Sequence, residues 1–204
     1  MMQTFGVIGG IGSGKTAVSE LFHRLGVPVI SADRIGHNVL DLPQVLATSR
    51  FRWKGSVFLP NGKIDRKKVA DIVFTHPAEL TFWNNLTHPL IADEVNRQLK
   101  QTQQSGAELC LIDAPLLLES GWDAITDKII FVDVPFEVRL QRAVSRGWKE
   151  HELRRREAVQ FPLEQKRSRA DYIIDNSGVF SATQEQVQHL LNKIGAIIDG
   201  NAND

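Results

Sequence analysis

A chain of 204 residues with 42% hydrophobic side chains can bury one sizeable core and still carry inserted subdomains. Its 24 basic and 24 acidic side chains cancel, which removes any global electrostatic case for a nucleic-acid or membrane partner and leaves only local patches. No apolar run reaches the ~20 residues that cross a bilayer, no basic and apolar leader opens the sequence, and no His, Cys or acidic residues gather at structural zinc spacing. The single Cys110 lies in the apolar run ELCLIDAPLL, where a thiol serves as a small buried hydrophobe. The expectation is a soluble, cytoplasmic protein without an obligate protein partner.

TFGVIG and VPVIS read as short buried strands, and between them Val18, Leu21, Phe22 and Leu25 recur at helical spacing. LCLIDAP, KIIFVDVP and YIID are further strand-like runs without polar alternation, as strands covered on both faces require. These predict a three-layer α/β fold around a five-stranded parallel sheet. Residues 35–104 read as mostly helical, with turn signals at LPNGK, at THP twice and at QSG; the stretch is too long for one crossover helix and is expected to be an insertion. Residues 136–170 are again helical and arginine-rich, a second and smaller insertion. The core of this single domain then comprises about 1–34, 105–135 and 171–204, and the terminal DGNAND is expected to fray.

Between the first strand and the first helix stands GGIGSGKT, residues 9–16, which fits G-x-x-x-x-G-K-[ST] in the strand-loop-helix context that the pattern needs. Its glycines let the backbone wrap closely enough for Gly10, Ile11, Gly12, Ser13 and Gly14 to aim N–H groups at phosphate oxygens, beside the positive end of the following helix. Lys15 is placed to reach the β and γ phosphates and Thr16 to ligate the Mg²⁺ that bridges them. A glycine-rich turn that merely links strand to helix is the alternative.

A nucleoside triphosphate serves switches, motors and kinases alike. A guanine-specific switch calls for an N-K-x-D segment, which the chain lacks, and a motor calls for a longer chain with paired acidic residues ending an apolar run. Here the third strand ends in a single carboxylate, Asp113, which suits Mg²⁺ waters or a turn. A kinase needs a base near the acceptor hydroxyl and positive charge over the transferred phosphate. Asp33 follows the second strand at the carboxyl edge of the sheet, as a base or as a helix N-cap. Arg139, Arg142 and Arg146 fall at spacings of three and four on one helix face. With RRR at 154–156 and KRSR from Lys166, ten basic residues lie between 139 and 169. They can form a lid over phosphates, a solvated face or a nucleic-acid patch; interspersed acids and the lack of interleaved aromatics argue against the last.

The ordered set GVIGGIGSGKT, ADRIGHNVL, NGKIDRKKVADIVF, LTHPLI, LIDAPLLLESG, QRAVSR and QFPLEQKRSRADYIIDNSG resembles the dephospho-CoA kinases over nearly the whole chain. These enzymes transfer the γ-phosphate of ATP to the ribose 3′-hydroxyl of dephospho-CoA, the last step of coenzyme A biosynthesis. The resemblance implies a P-loop NTPase core, a substrate-binding insertion over 35–104 and a lid over 136–170. It implies Asp33 as the base at the acceptor, Lys15, Arg142 and Arg146 on the phosphates, and Asn176 and Gly178 near the adenine. His88 and Leu116 would shape the dephospho-CoA pocket, Thr16 and Asp113 would serve Mg²⁺, and the partners would be ATP and dephospho-CoA, with no nucleic acid or membrane.

Three features depart from the family pattern. Ser31-Ala32-Asp33 stands where Asp-Ala-Asp is common, Arg139 where glutamine is usual, and the segment between Asp33 and NGKID is dissimilar. His88, before Pro89, can also cap a following helix. The rivals are a shikimate-type or nucleoside-type kinase and a nucleotide-binding homologue without turnover.

Overall fold

A computed structural model describes residues 2–201. Its strands are β1 (Gln3–Gly9), β2 (Val29–Ser31), β3 (Leu109–Asp113), β4 (Lys128–Asp133) and β5 (Tyr172–Asp175). In chain order the helices are α1 (Lys15–Arg24), α2 (Ala32–Val39), α3 (Pro43–Trp53), α4 (Arg66–Val73), α5 (Pro77–Gln104), α6 (Phe136–Ser145), α7 (Glu150–Glu157), α8 (Leu163–Ser168) and α9 (Phe180–Asn201). Among the described residues no helix is long and apolar enough to cross a membrane.

The strands form one sheet in the order β2-β3-β1-β4-β5, and every neighbouring pair is parallel. Strands with apolar residues on both faces need cover on both, and all five residues of β3 are buried. On one face α1 and α9 supply Val18, Phe22, Val187 and Ile194 to a core with Phe5, Val7, Leu111 and Ile130. Phe22 is fully buried, so its truncation to alanine would cost about 3–5 kcal/mol. On the other face α8 packs on β1 and β4, and the chain after β3 lies directly on β1: a Cβ at Gly6 would stand 2.5 Å from Leu117 Cδ1. The three layers and the parallel five-stranded sheet agree with the sequence reading. From β1 the chain runs out to the edge at β2, returns through β3 and then crosses to β4 on the far side of β1. The order reverses at β1, and its carboxyl end is the place where open α/β sheets bind ligands.

The arginine-rich stretch is three short helices. α6 stops at Ser145 because Gly147 takes φ 84° and Trp148 N–H turns back to the Ala143 carbonyl at 3.1 Å. Arg146 is thus the exposed C-cap of α6, its N–H still turned back to the Ala143 carbonyl at 3.0 Å. α9 runs on to Asn201, so the first half of DGNAND is helical; residues 202–204 lie outside the described residues.

The chain divides into two compact units, one of Met1–Ser31 with Gln101–Asp204 and one of Ala32–Lys100. Within the second, Phe58 and Ile64 bridge across the LPNGK turn, and Asp65 caps α4 by accepting from Lys67 N–H at 3.1 Å and Lys68 N–H at 3.3 Å, a contribution of about 1 kcal/mol. Trp53 packs on Phe82 and Trp83 while its indole N–H donates to Glu79 at 2.9 Å. The first THP is a true helix start, with Pro77 at the head of α5. The second is not: α5 passes through His88 and Pro89 without a break. Proline removes one helical N–H, but Thr87 Oγ1 donates to the Trp83 carbonyl at 2.9 Å in the same stretch. His88 is therefore mid-helix and caps nothing.

Candidate active site

β1 delivers Gly9 to the switch point, and the next turn is set by backbone conformations that only glycine takes readily. Gly9, Gly12 and Gly14 have φ of 153°, 79° and 83°. A Cβ at Gly9 would stand 2.7 Å from the Val132 carbonyl oxygen and one at Gly12 2.9 Å from that of Arg139. The loop is therefore packed against β4 and α6 as well as tightly turned. Ser13 N–H closes it on the Gly10 carbonyl at 3.1 Å. Gly14 begins α1, its carbonyl accepting from Ala17 and Val18 N–H at 2.9 and 3.1 Å. The leading N–H groups of a helix have no intrahelical acceptor and make its start a natural anion seat. Lys15 heads that helix and folds its ammonium back onto the Gly9 and Gly10 carbonyls, at 3.0 and 3.2 Å. Thr16 follows it and is exposed.

Two arginines of α6 hold the loop through its carbonyls. Arg142 Nη1 donates to the Gly12 and Ser13 carbonyls, both at 3.3 Å, and its Nη2 to the Asn176 carbonyl at 2.7 Å. Arg139, only 4% exposed, donates to the Ile11 carbonyl at 3.3 Å and to the Val134 carbonyl at 3.1 Å, and forms an ion pair with Glu157. The three residues expected on one face thus part company: Arg139 is buried, Arg142 is half-buried against the loop, and Arg146 is exposed past the helix end.

Asn176 follows β5 and is buried. Its Nδ2 donates to the Ser13 carbonyl at 2.7 Å, its Oδ1 accepts from Thr183 at 2.9 Å, and its N–H donates to the Asp133 carbonyl at 3.0 Å. Ser177, through its hydroxyl and its N–H, holds the neighbouring Asp175 carboxyl below the usual range. Gly178 is exposed in the same turn.

Asp113 ends β3 in register with Val7 of β1 and Ser31 of β2 and is 8% exposed. Just beyond it Leu117 and Leu118 are buried while Leu116 points outward, 41% exposed. In the second unit Asp33 is exposed in the first turn of α2. Because that helix already begins at Ala32, Asp33 is not its N-cap. His88 is exposed midway along α5.

Among the described residues no group of three or more His, Cys, Asp or Glu side chains is gathered around a cation position. The oxygen groups expected to serve a cation are the Thr16 hydroxyl and the Asp113 carboxylate, and the Ser13 hydroxyl of the loop is buried. Such sparse oxygen donors fit Mg²⁺, which keeps most of its shell as water and phosphate oxygen.

The basic run is mostly neutralised at close range. Arg154 pairs with Glu150, Arg156 with Glu152, Arg167 with Asp133 and Arg169 with Asp123, at 2.8 to 3.4 Å. Glu157, Glu119 and the burial of Lys166 escaped the sequence reading, because spacing cannot tell which charges of a mixed run turn inward.

The family model for dephospho-CoA kinase matches residues 3–182. The dephospho-CoA kinase of Syntrophotalea carbinolica is 37% identical over 95% of this chain and 92% of its own. Among solved structures, TT1252 from Thermus thermophilus superposes with a TM-score of 0.83 at 27% identity, covering 94% of this chain and 97% of its own. The dephospho-CoA kinase from Campylobacter jejuni superposes with a TM-score of 0.73 at 28% identity, covering 98% and 100%. With a phosphate-binding loop at the switch point of its sheet and relatives that span nearly its full length, the chain belongs to the dephospho-CoA kinase family.

Proposed function

We infer that the protein transfers the γ-phosphoryl of ATP to the ribose 3′-hydroxyl of dephospho-CoA, yielding coenzyme A and ADP. The observation that carries this reading is the family match over 3–182, together with a glycine loop whose backbone takes the turns a phosphate cradle requires. The loop amides and Lys15 hold the β and γ phosphates. Thr16 and Asp113 would hold Mg²⁺, which would supply neutralisation of the phosphate charge. Arg142 and Arg146 lie along the residues that carry the family pattern and act on the phosphate charge, while Asn176 and Gly178 border the adenine. Asp33 accepts the 3′-hydroxyl proton as that oxygen bonds to the γ phosphorus, and the bond to the ADP oxygen breaks.

Residues 35–104, with His88, and the outward-facing Leu116 receive dephospho-CoA, and residues 136–170 act as the lid. The reaction calls for no nucleic-acid, membrane or obligate protein partner and suits the cytoplasm.

The test is ADP release in the presence of ATP, Mg²⁺ and a panel of acceptors. Release dependent on dephospho-CoA, and not on shikimate or nucleosides, is the expected result. Release with another acceptor alone would move the protein to a different kinase class. Nucleotide binding without any acceptor-dependent release would mark a homologue without turnover.

A further inference from the structure

We propose that Arg139 and Glu157 are a positioning pair, which sets nucleotide affinity by holding the phosphate loop without touching the nucleotide. The inference rests on the reading of that loop as the ATP site. In a trans peptide the C=O and the N–H point in opposite directions. A carbonyl of the loop drawn toward α6 therefore turns the next residue's N–H away from α6, into the cradle. Arg139 draws on the Ile11 carbonyl at 3.3 Å and so orients the N–H of Gly12.

The guanidinium is suited to this because its rigid fork of five donors serves several acceptors at once. One end holds Val134, at the junction of β4 and α6; the other is shared between Ile11 in the loop and Glu157 at the end of α7. A Cβ built on Gly10 would come within 2.9 Å of Arg139 Nη1, so the group lies directly beneath the loop backbone. At 4% exposure its charge needs a counter-ion, and Glu157, with a side chain 22% exposed, supplies it. The pair ties α7 to the loop through one side chain. Cradle amides fixed in this way stabilise bound phosphate without reorganising as it arrives.

A pair that served stability alone would give a different pattern of variants. Arg139→Met and Glu157→Met each leave one charge without its partner and should lower the thermal midpoint. The double variant removes both charges and should recover most of that loss, yet it leaves the Ile11 carbonyl unheld. Its ATP affinity, measured by calorimetry, should stay ~tenfold or more below the parent, the scale of one lost charge-assisted hydrogen bond. Arg139→Lys keeps the charge but not the fork; it should lower the midpoint less than Arg139→Met does and still bind ATP more weakly. If the double variant, or Arg139→Lys should the double variant not fold, binds ATP within twofold of the parent, the positioning role is wrong. Lys15→Ala is measured alongside. Parental ATP affinity in that variant would mean that the loop is not the ATP site, and the inference would fall with that reading.

Discussion

Lys166 is wholly buried with its ammonium 2.8 Å from Glu119 Oε1, so a salt bridge inside the protein joins α8 to the segment that follows β3. The same ammonium donates to the Pro115 carbonyl and to Gln160 Oε1, both at 3.1 Å, and Glu119 Oε1 also accepts from Phe161 N–H at 2.8 Å. Lys166→Met should therefore destabilise the protein by about 3–5 kcal/mol, the cost of leaving a buried charge without its partner. The companion change Glu119→Leu should restore most of it. Denaturant midpoints of the single and double variants test this; equal loss in both would show that the bridge is not what holds the segment.

Lys15→Ala should lower turnover by at least ~10² to 10³, the scale for one lost electrostatic contact with the transferring phosphoryl group. The thermal midpoint should change little, since the side chain is only half-buried. Steady-state kinetics with ATP and dephospho-CoA decide the matter, and turnover within threefold of the parent would remove Lys15 from the phosphate site.

Asp33→Asn preserves shape and a hydrogen-bonding oxygen while removing the base. Turnover should fall by ~10² to 10⁴ with ATP affinity nearly unchanged. Loss of ATP affinity with turnover intact at saturation would instead assign Asp33 to the nucleotide.

Arg142→Ala and Arg146→Ala should differ. Arg142 lies against the loop and Asn176, whereas Arg146 is exposed beyond the end of α6. Turnover should drop by ~10² or more in the first and by less in the second. Parental rates in both variants would leave the α6 arginines without a role in transfer.

Cys110 should resist alkylation in the folded protein. Burial pushes its thiol up to about 11, and the reactive species is the thiolate. Native protein at mildly alkaline pH should label slowly and denatured protein rapidly. Labelling of the native state at the rate of a free thiol would show that the segment opens readily.

The sheet was legible because buried parallel strands write themselves as unbroken apolar runs, and β1 to β5 each coincide with one. The phosphate loop was legible because its glycines, lysine and threonine are contiguous. What escaped was whatever depends on the third dimension. The alternation of Arg139, Arg142 and Arg146 says nothing of depth, and the first is buried, the second half-buried and the third exposed at the C-cap. Pro89 looked like a breaker, yet it sits inside α5, with the Thr87 hydroxyl engaged on the Trp83 carbonyl nearby. Arg139 and Lys166 read as members of a basic run, and only their acidic partners, distant in sequence, reveal that both point inward.

The central place of β1 also bears on how the chain folds as it is made. Its partners β3 and β4 begin at Leu109 and Lys128, so β1 waits for about a hundred further residues before either of its edges is paired. The unit Ala32–Lys100 is complete earlier and can collapse first, while the apolar TFGVIG strand stays open to wrong pairings. The phosphate loop then becomes ordered late in synthesis, and nascent chains halted before β4 should aggregate and hold no ATP.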